Sequence, residues 1–190
     1  MQLIRLPNSI FCHPNLQDAM FVAFCTISVF VQCFVQLWMD IGYVKSFQGD
    51  MVAELIAGNT RAYDPVGVPA IVFTEPEIVS VGLSPDQAKE AGHPVIVGKF
   101  PLAANGRSLT QEAEKTGGFI RVVAREDDHR ILGIQGVGTH ISELVGEWTL
   151  ALEMGALLED IAHTIHAHPT MTEMTHEGVL DTLGHAIHKM

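Results

Sequence analysis

Basic residues are scarce in this chain, with 11 Lys and Arg against 22 Asp and Glu and a formal net charge of −11. That balance speaks against a nucleic-acid partner, because neutralising phosphates needs clustered Lys and Arg. Cysteine is nearly absent too. Cys12, Cys25 and Cys33 all lie in the first 33 residues, at spacings that fit neither a C-x-x-C redox pair nor a zinc knuckle. They read as reduced, buried thiols in a cytoplasmic setting. There is no G-x-x-x-x-G-K-[ST] phosphate loop and no H-E-x-x-H. "GVGTHISEL" does hold Gly136 and Gly138 between a strand and a helix, but Ile141 falls where a dinucleotide turn needs its third glycine. Close packing at a helix start accounts for both glycines.

What is present is mostly apolar. Hydrophobic residues make up 47% of the chain and charged ones 17%, a globular composition with no repeat or low-complexity tract. At 190 residues there is room for one domain with a proper core and an appendage. From Ala19 to Met39 no charged residue occurs over 21 positions, close to the ~20 of a membrane helix. Thr26, Ser28, Gln32 and Gln36 interrupt that apolarity, and its β-branched and aromatic residues suit buried strands equally. A membrane segment through 19–39 therefore stays open but is not favoured. No small-x-small cleavage pattern follows the run, so it is no ordinary signal peptide.

The texture changes after residue 45. "QGDMVAELIAGN" places Met51, Val52, Leu55 and Ile56 at helical spacing, and "YDPVGVP" is a proline-punctuated linker. The expected organisation is an atypical hydrophobic segment over 1–45, a helix and linker over 46–66, and one domain over 67–190. That domain follows an α+β pattern. "PAIVFTEPEIVSVGL" predicts two short strands interrupted at Glu75-Pro76. "SPDQAKEAG" predicts a helix with Ser84 as cap, Pro85 in first position, Gln87 completing the capping box and Gly92 ending it. "PVIVGKFPL" is a further strand, and Asn105-Gly106 reads as a tight turn. "GFIRVVA" and "RILGIQGV" form a hairpin across "REDDH". Ile141, Leu144, Val145, Trp148 and Leu152 make one apolar helical stripe, "LLEDIAHTI" a second helix. A last helix from about Met171 carries Val179, Leu180, Leu183 and Ile187 on one face.

Histidine is in surplus, six of the ten lying between His163 and His188. A metal reading would join His163, His166 and His168 to Glu173, or use His185 and His188. Pro169 forces His168 into extended geometry, so no single helical face carries the set, and no metal site is assigned. Most of these rings read as helix-end or surface residues. His168 and Glu173 differ in kind, and two readings compete. In the structural one, Thr170 caps the last helix and Glu173, three residues on, closes a capping box. In the functional one, the same turn projects an imidazole outward and the carboxylate reaches its other ring nitrogen, fixing the tautomer. Such a pair suits a thiol substrate, since the thiolate is the attacking species in disulfide exchange. This chain offers no suitable nucleophile beside it.

"IHAHPTMTE", together with "VPAIVFTEPEIVSVGLS", "FPLAANGR", "GGFIRVVA" and "RILGIQGVG…ISEL", closely resembles the C-terminal part of the dihydrolipoyl dehydrogenases. These are a branch of the pyridine-nucleotide disulfide oxidoreductase family, and the likeness runs from about Gln48 to Met190. The resemblance implies the family's interface, or dimerisation, domain: an antiparallel sheet flanked by helices. It implies that His168 is an acid–base catalyst with Glu173 as its carboxylate partner. Across a dimer His168 would face the redox disulfide and flavin of the other subunit, with Pro169 lining the flavin edge. The implied reaction oxidises dihydrolipoyl groups, passing electrons through the disulfide and FAD to NAD, within a 2-oxo acid dehydrogenase complex. The family's G-x-G-x-x-G, its C-x-x-x-x-C and its NAD-binding domain are absent from these 190 residues, and the helix within 46–66 looks like a residual one, the helix that closes the family's FAD domain. The expectation is therefore half of a catalytic site, inactive alone, in a dimer with a second copy or with a full-length homologue. The alternative is a non-catalytic interaction module that binds such a homologue.

Overall fold

Period-two alternation sets the sheet. Along β2 (Glu77–Gly82) Val79 and Val81 are buried while Ile78 between them and the turn is open, and β3 (Val95–Pro101) buries Gly98 and Phe100 but exposes Val97 and Lys99. The computed structural model describes residues 46–188, so the uncharged run of 19–39 and the three cysteines lie outside the described residues. With β1 (Ala70–Val72), β4 (Phe119–Arg125) and β5 (Ile131–Gly138) these strands make one five-stranded sheet in the order β1-β2-β5-β4-β3. Every neighbouring pair is antiparallel. The interruption at Glu75-Pro76 is the turn that folds β1 back onto β2.

The helices are short. Helix α1 covers residues 46–56 and is largely exposed, with Phe47 tilted against Tyr63 and Arg61. At α2 (Pro85–Glu90) the punctuation is as the sequence spells it: Ser84 Oγ accepts from the Gln87 N–H and Gln87 Oε1 from the Ser84 N–H. Then come α3 (Gly106–Thr110), α4 (Val145–Glu153), α5 (Leu158–Ala162) and α6 (Glu173–Thr182). Helices α4 and α6 cover one face of the sheet, α4 against β2 and β5, α6 against β3 and β4. Trp148, Phe100, Ile120, Ile134, Met174 and Val179 fill the space between. The fold is thus α+β, an antiparallel sheet flanked by helices.

Two close approaches depend on glycine. A Cβ on Gly136 would stand 2.6 Å from Ile141 and 2.8 Å from the Trp148 ring, so the bare strand is what admits the indole. A Cβ on Gly98 would lie 2.4 Å from the Thr182 backbone nitrogen, so α6 rests directly on β3. The Gly136-x-Gly138 stretch, which lies within β5, is therefore a packing device. Strand β5 runs antiparallel between β2 and β4, not in a βαβ unit.

Three expectations need correction. Asn105-Gly106 is not a tight turn: Asn105 sits at φ −92° and caps α3 through a bond from the Ser108 N–H to its side chain. The stripe of Ile141 to Leu152 is split, with a 3-10 turn over Ile141–Leu144 ahead of α4. The last helix begins at Glu173 and stops at Thr182. Gly184, at φ +77°, lets the His185 N–H return to the Leu180 carbonyl and closes the helix, so Ile187 lies beyond it and is 75% exposed.

Candidate active site

The turn between α5 and α6 gathers the polar groups. Pro169 cannot continue a helix, and the His168-Pro169 peptide is cis. His168 projects outward, its side chain 80% exposed. Its Nδ1 lies 2.9 Å from Glu173 Oε1. An ionised carboxylate only accepts, so Nδ1 carries the hydrogen, and in the neutral ring Nε2 is the nitrogen with the lone pair. No hydrogen-bond partner among the described residues meets that Nε2.

The second oxygen of Glu173 is also engaged, accepting the Thr170 N–H at 2.8 Å. The two readings of Glu173 are therefore compatible, one per oxygen. Only half of a capping box forms. The Thr170 hydroxyl donates to the Ala167 carbonyl instead of accepting from the helix, and Thr172 holds the cap position with no side-chain bond to the helix backbone, its hydroxyl meeting that of Thr170 at 2.8 Å. Burial pushes the Glu173 carboxyl up, but the Thr170 N–H, the His168 hydrogen bond and the charges of His168 and His166 outweigh it. The carboxyl titrates below the usual carboxylate range.

Beneath this pair lies a second one. His166, two residues earlier, is turned inward with its side chain 7% exposed. Its Nε2 stands 2.8 Å from Glu147 Oε1 on α4, and its Nδ1 3.0 Å from the Thr164 carbonyl. Its ring lies 5.2 Å from that of His176, which itself reaches the Ala162 carbonyl at the end of α5. His166 is thus neither a surface ring nor a helix-end one, contrary to expectation: the turn alternates inward and outward, and only its outward side meets solvent. Nearby, Trp148 Nε1 donates to the Thr175 hydroxyl, a buried bond tying α4 to α6. His163 ends α5, and His188 is paired 2.7 Å from Glu177, so the histidines disperse among different carboxylates. No metal-binding cluster of three or more such groups occurs among the described residues.

Sequence reasoning missed Glu147 and Asn105. Asn105 is buried and donates from Nδ2 to the Thr170 carbonyl at 3.1 Å. Asn three places before Ser108 is N-cap spacing, but Asn-Gly suits a tight turn as well, and a partner 65 residues away leaves no local signal.

The space at Gly136 and Gly138, at the end of β5, is filled by Ile141, Trp148 and Leu102, leaving no opening for a pyrophosphate there. Among the described residues no helix is long and apolar enough to cross a membrane.

Residues 68–179 match the model of the pyridine nucleotide-disulphide oxidoreductase dimerisation domain. A dihydrolipoyl dehydrogenase of Pseudomonas aeruginosa is 57% identical over 141 residues, 74% of this chain and 30% of the relative. Those of Halobacterium salinarum and Bacillus subtilis are 49% and 43% identical over 79% and 78% of this chain, and 31% of each relative. The chain spans about three tenths of the length of these relatives. Among solved structures, LpdA from Mycobacterium tuberculosis superposes with a TM-score of 0.63 at 23% identity, over 70% of this chain and 29% of that one. The HOCl-induced flavoprotein disulfide reductase RclA from Escherichia coli gives the same score and identity over 68% and 30%. These two share the fold. With the family model spanning more than half its length, the chain belongs to the pyridine nucleotide-disulphide oxidoreductases, as their dimerisation domain.

Proposed function

We propose that this domain works as half of a dimer and supplies the His168–Glu173 pair to a disulfide and flavin carried by another polypeptide, in the NAD-linked oxidation of dihydrolipoyl groups. The observation that carries this reading is the outward His168 ring, with Nδ1 held by Glu173 and Nε2 facing solvent. The names of the curated relatives support the choice of substrate.

The chemistry required of this chain is a proton transfer. A thiol near pKa ~8.5 must lose its hydrogen to become a nucleophile, and an imidazole near ~6.5 is close enough to take it at neutral pH and return it later. Nε2 would accept the hydrogen from the dihydrolipoyl S–H. The resulting thiolate would attack one sulfur of the partner's disulfide, forming a mixed disulfide and releasing the other sulfur as a thiolate. Glu173 would keep the ring in the Nδ1–H tautomer and offset the positive charge it gains. Pro169, next to His168 at the tip of the turn, would line the flavin edge of that partner. The 190 residues contain neither the redox-cysteine motif nor a dinucleotide loop, so turnover requires those parts from elsewhere.

The test is a mixed dimer. A full-length homologue whose own acid–base histidine has been replaced by glutamine is unfolded and refolded with this chain, and NAD-dependent oxidation of dihydrolipoamide is followed. Turnover should return with the wild-type chain and not with His168→Gln. Equal turnover with both chains sinks the proposal, as does turnover by the purified chain with added FAD and NAD alone.

A further inference from the structure

The strongest unassigned group is a buried amide 65 residues upstream of the turn. Asn105 is 4% exposed, and both ends of its side chain are used. Oδ1 accepts the Ser108 N–H at 2.9 Å, which fixes the orientation of the amide. Nδ2 must then face the other way, where the Thr170 carbonyl lies at 3.1 Å. Capping α3 calls for an acceptor only, and Ser, Thr or Asp would serve as well. The Thr170 carbonyl calls for a donor. Of the good capping side chains, asparagine alone carries an acceptor and a donor on separate atoms, so that one side chain can reach in both directions.

The bracket is stiff at its root. The Asn105 N–H donates to the Leu102 carbonyl, Leu102 is fully buried, and the Leu102 N–H donates to the Gly118 carbonyl beside β4. At its tip it grips the residue whose N–H donates to Glu173 Oε2, while the other Glu173 oxygen holds His168. A continuous path therefore runs from the sheet through Asn105, Thr170 and Glu173 to the His168 ring. We infer that Asn105 is a positioning residue for the His168–Glu173 pair, holding the Thr170 backbone so that one carboxylate can meet both that N–H and the imidazole. The inference rests on the dyad reading above for its functional meaning, but its geometry is testable in this chain alone.

The charged and titratable groups facing Glu173 are His168 and His166, and His166 in turn faces Glu147 of α4 and His176 of α6. Two substitutions keep an acceptor for the Ser108 N–H and lose the Nδ2 donor to Thr170: ionised aspartate has no donor, and the single serine hydroxyl lies one bond nearer the backbone than Nδ2. Asn105→Ser does so without charge, whereas Asn105→Asp adds a negative charge that by itself raises the Glu173 midpoint. The serine variant is therefore decisive.

The experiment is NMR on the isotope-labelled full chain. In the wild type, the Asn105 side-chain amide should exchange slowly and show contacts to Thr170, and the His168 ring nitrogens should report the Nδ1–H tautomer. In Asn105→Ser the Glu173 midpoint should shift upward, and the His168 signals should move toward a mixture of tautomers. A folded serine variant with unchanged Glu173 midpoint and His168 tautomer overturns the inference and leaves the dyad standing. If neither variant folds, fast exchange of the wild-type Asn105 amide overturns it and slow exchange with Thr170 contacts supports it. A wild-type His168 lacking the Nδ1–H tautomer removes the dyad reading itself, a failure visible before any variant is made.

Discussion

Two histidine–glutamate pairs stand two residues apart on one turn, and their surroundings set their roles. His166 and Glu147 meet at 2.8 Å with the ring 7% exposed, while His168 and Glu173 meet at 2.9 Å with the ring 80% exposed. Distance and chemistry are nearly the same. Both nitrogens of His166 are taken by protein oxygens, whereas His168 has one nitrogen taken and one open. A ring with both nitrogens spent inside the fold is a brace; one with a nitrogen left over at the surface can do chemistry on something else.

The largest effect separating the pairs should be on rate. In the mixed dimer, His168→Gln should lower turnover by about 10²–10⁴-fold, the usual reach of a general acid–base group. Steady-state rates with dihydrolipoamide and NAD check it.

Stability should rank the pairs in reverse. Glu147→Ala strands a buried ring nitrogen and should cost about 1–3 kcal/mol. His168→Ala, at an exposed position, should stay within about 0.5 kcal/mol. Urea denaturation of both variants compares the two. A larger loss for His168→Ala would mean that the outward ring, not the inward one, holds the turn.

A smaller effect should appear in acid. The folded Glu173 carboxyl titrates below its ordinary range, so the stability it contributes is fully present above about pH 4.3. That contribution is lost as pH falls through the lowered folded value. Glu173→Gln removes the titration, so denaturation midpoints of wild type and variant should converge as pH drops from 5 toward 2. Parallel curves would show that Glu173 adds nothing to the acid sensitivity.

Much of the scaffold was legible because its causes are local. The Ser84–Gln87 capping box spans four residues, and the break at Glu75-Pro76 needs only the proline's missing donor. Similarly, His168 and Glu173 are five apart on one turn, so their meeting could be anticipated. Asn105 was misread because Asn-Gly suits a tight turn and an N-cap alike, and only the Thr170 carbonyl decides between them. The burial of His166 could not be read for the same reason: its partner is on α4, brought there by the seating of Trp148 over Gly136.

By itself the sequence determined the order of strands and helices, the cap at Ser84 and the pairing within one turn. Each of these follows from side-chain periodicity or from contacts a few residues apart. Only the tertiary structure decided which histidine faces inward, which oxygen of Glu173 does what, and that Asn105 reaches across to Thr170. Those outcomes depend on how α4 and α6 settle on the sheet, and so on close packing between segments that are distant along the chain.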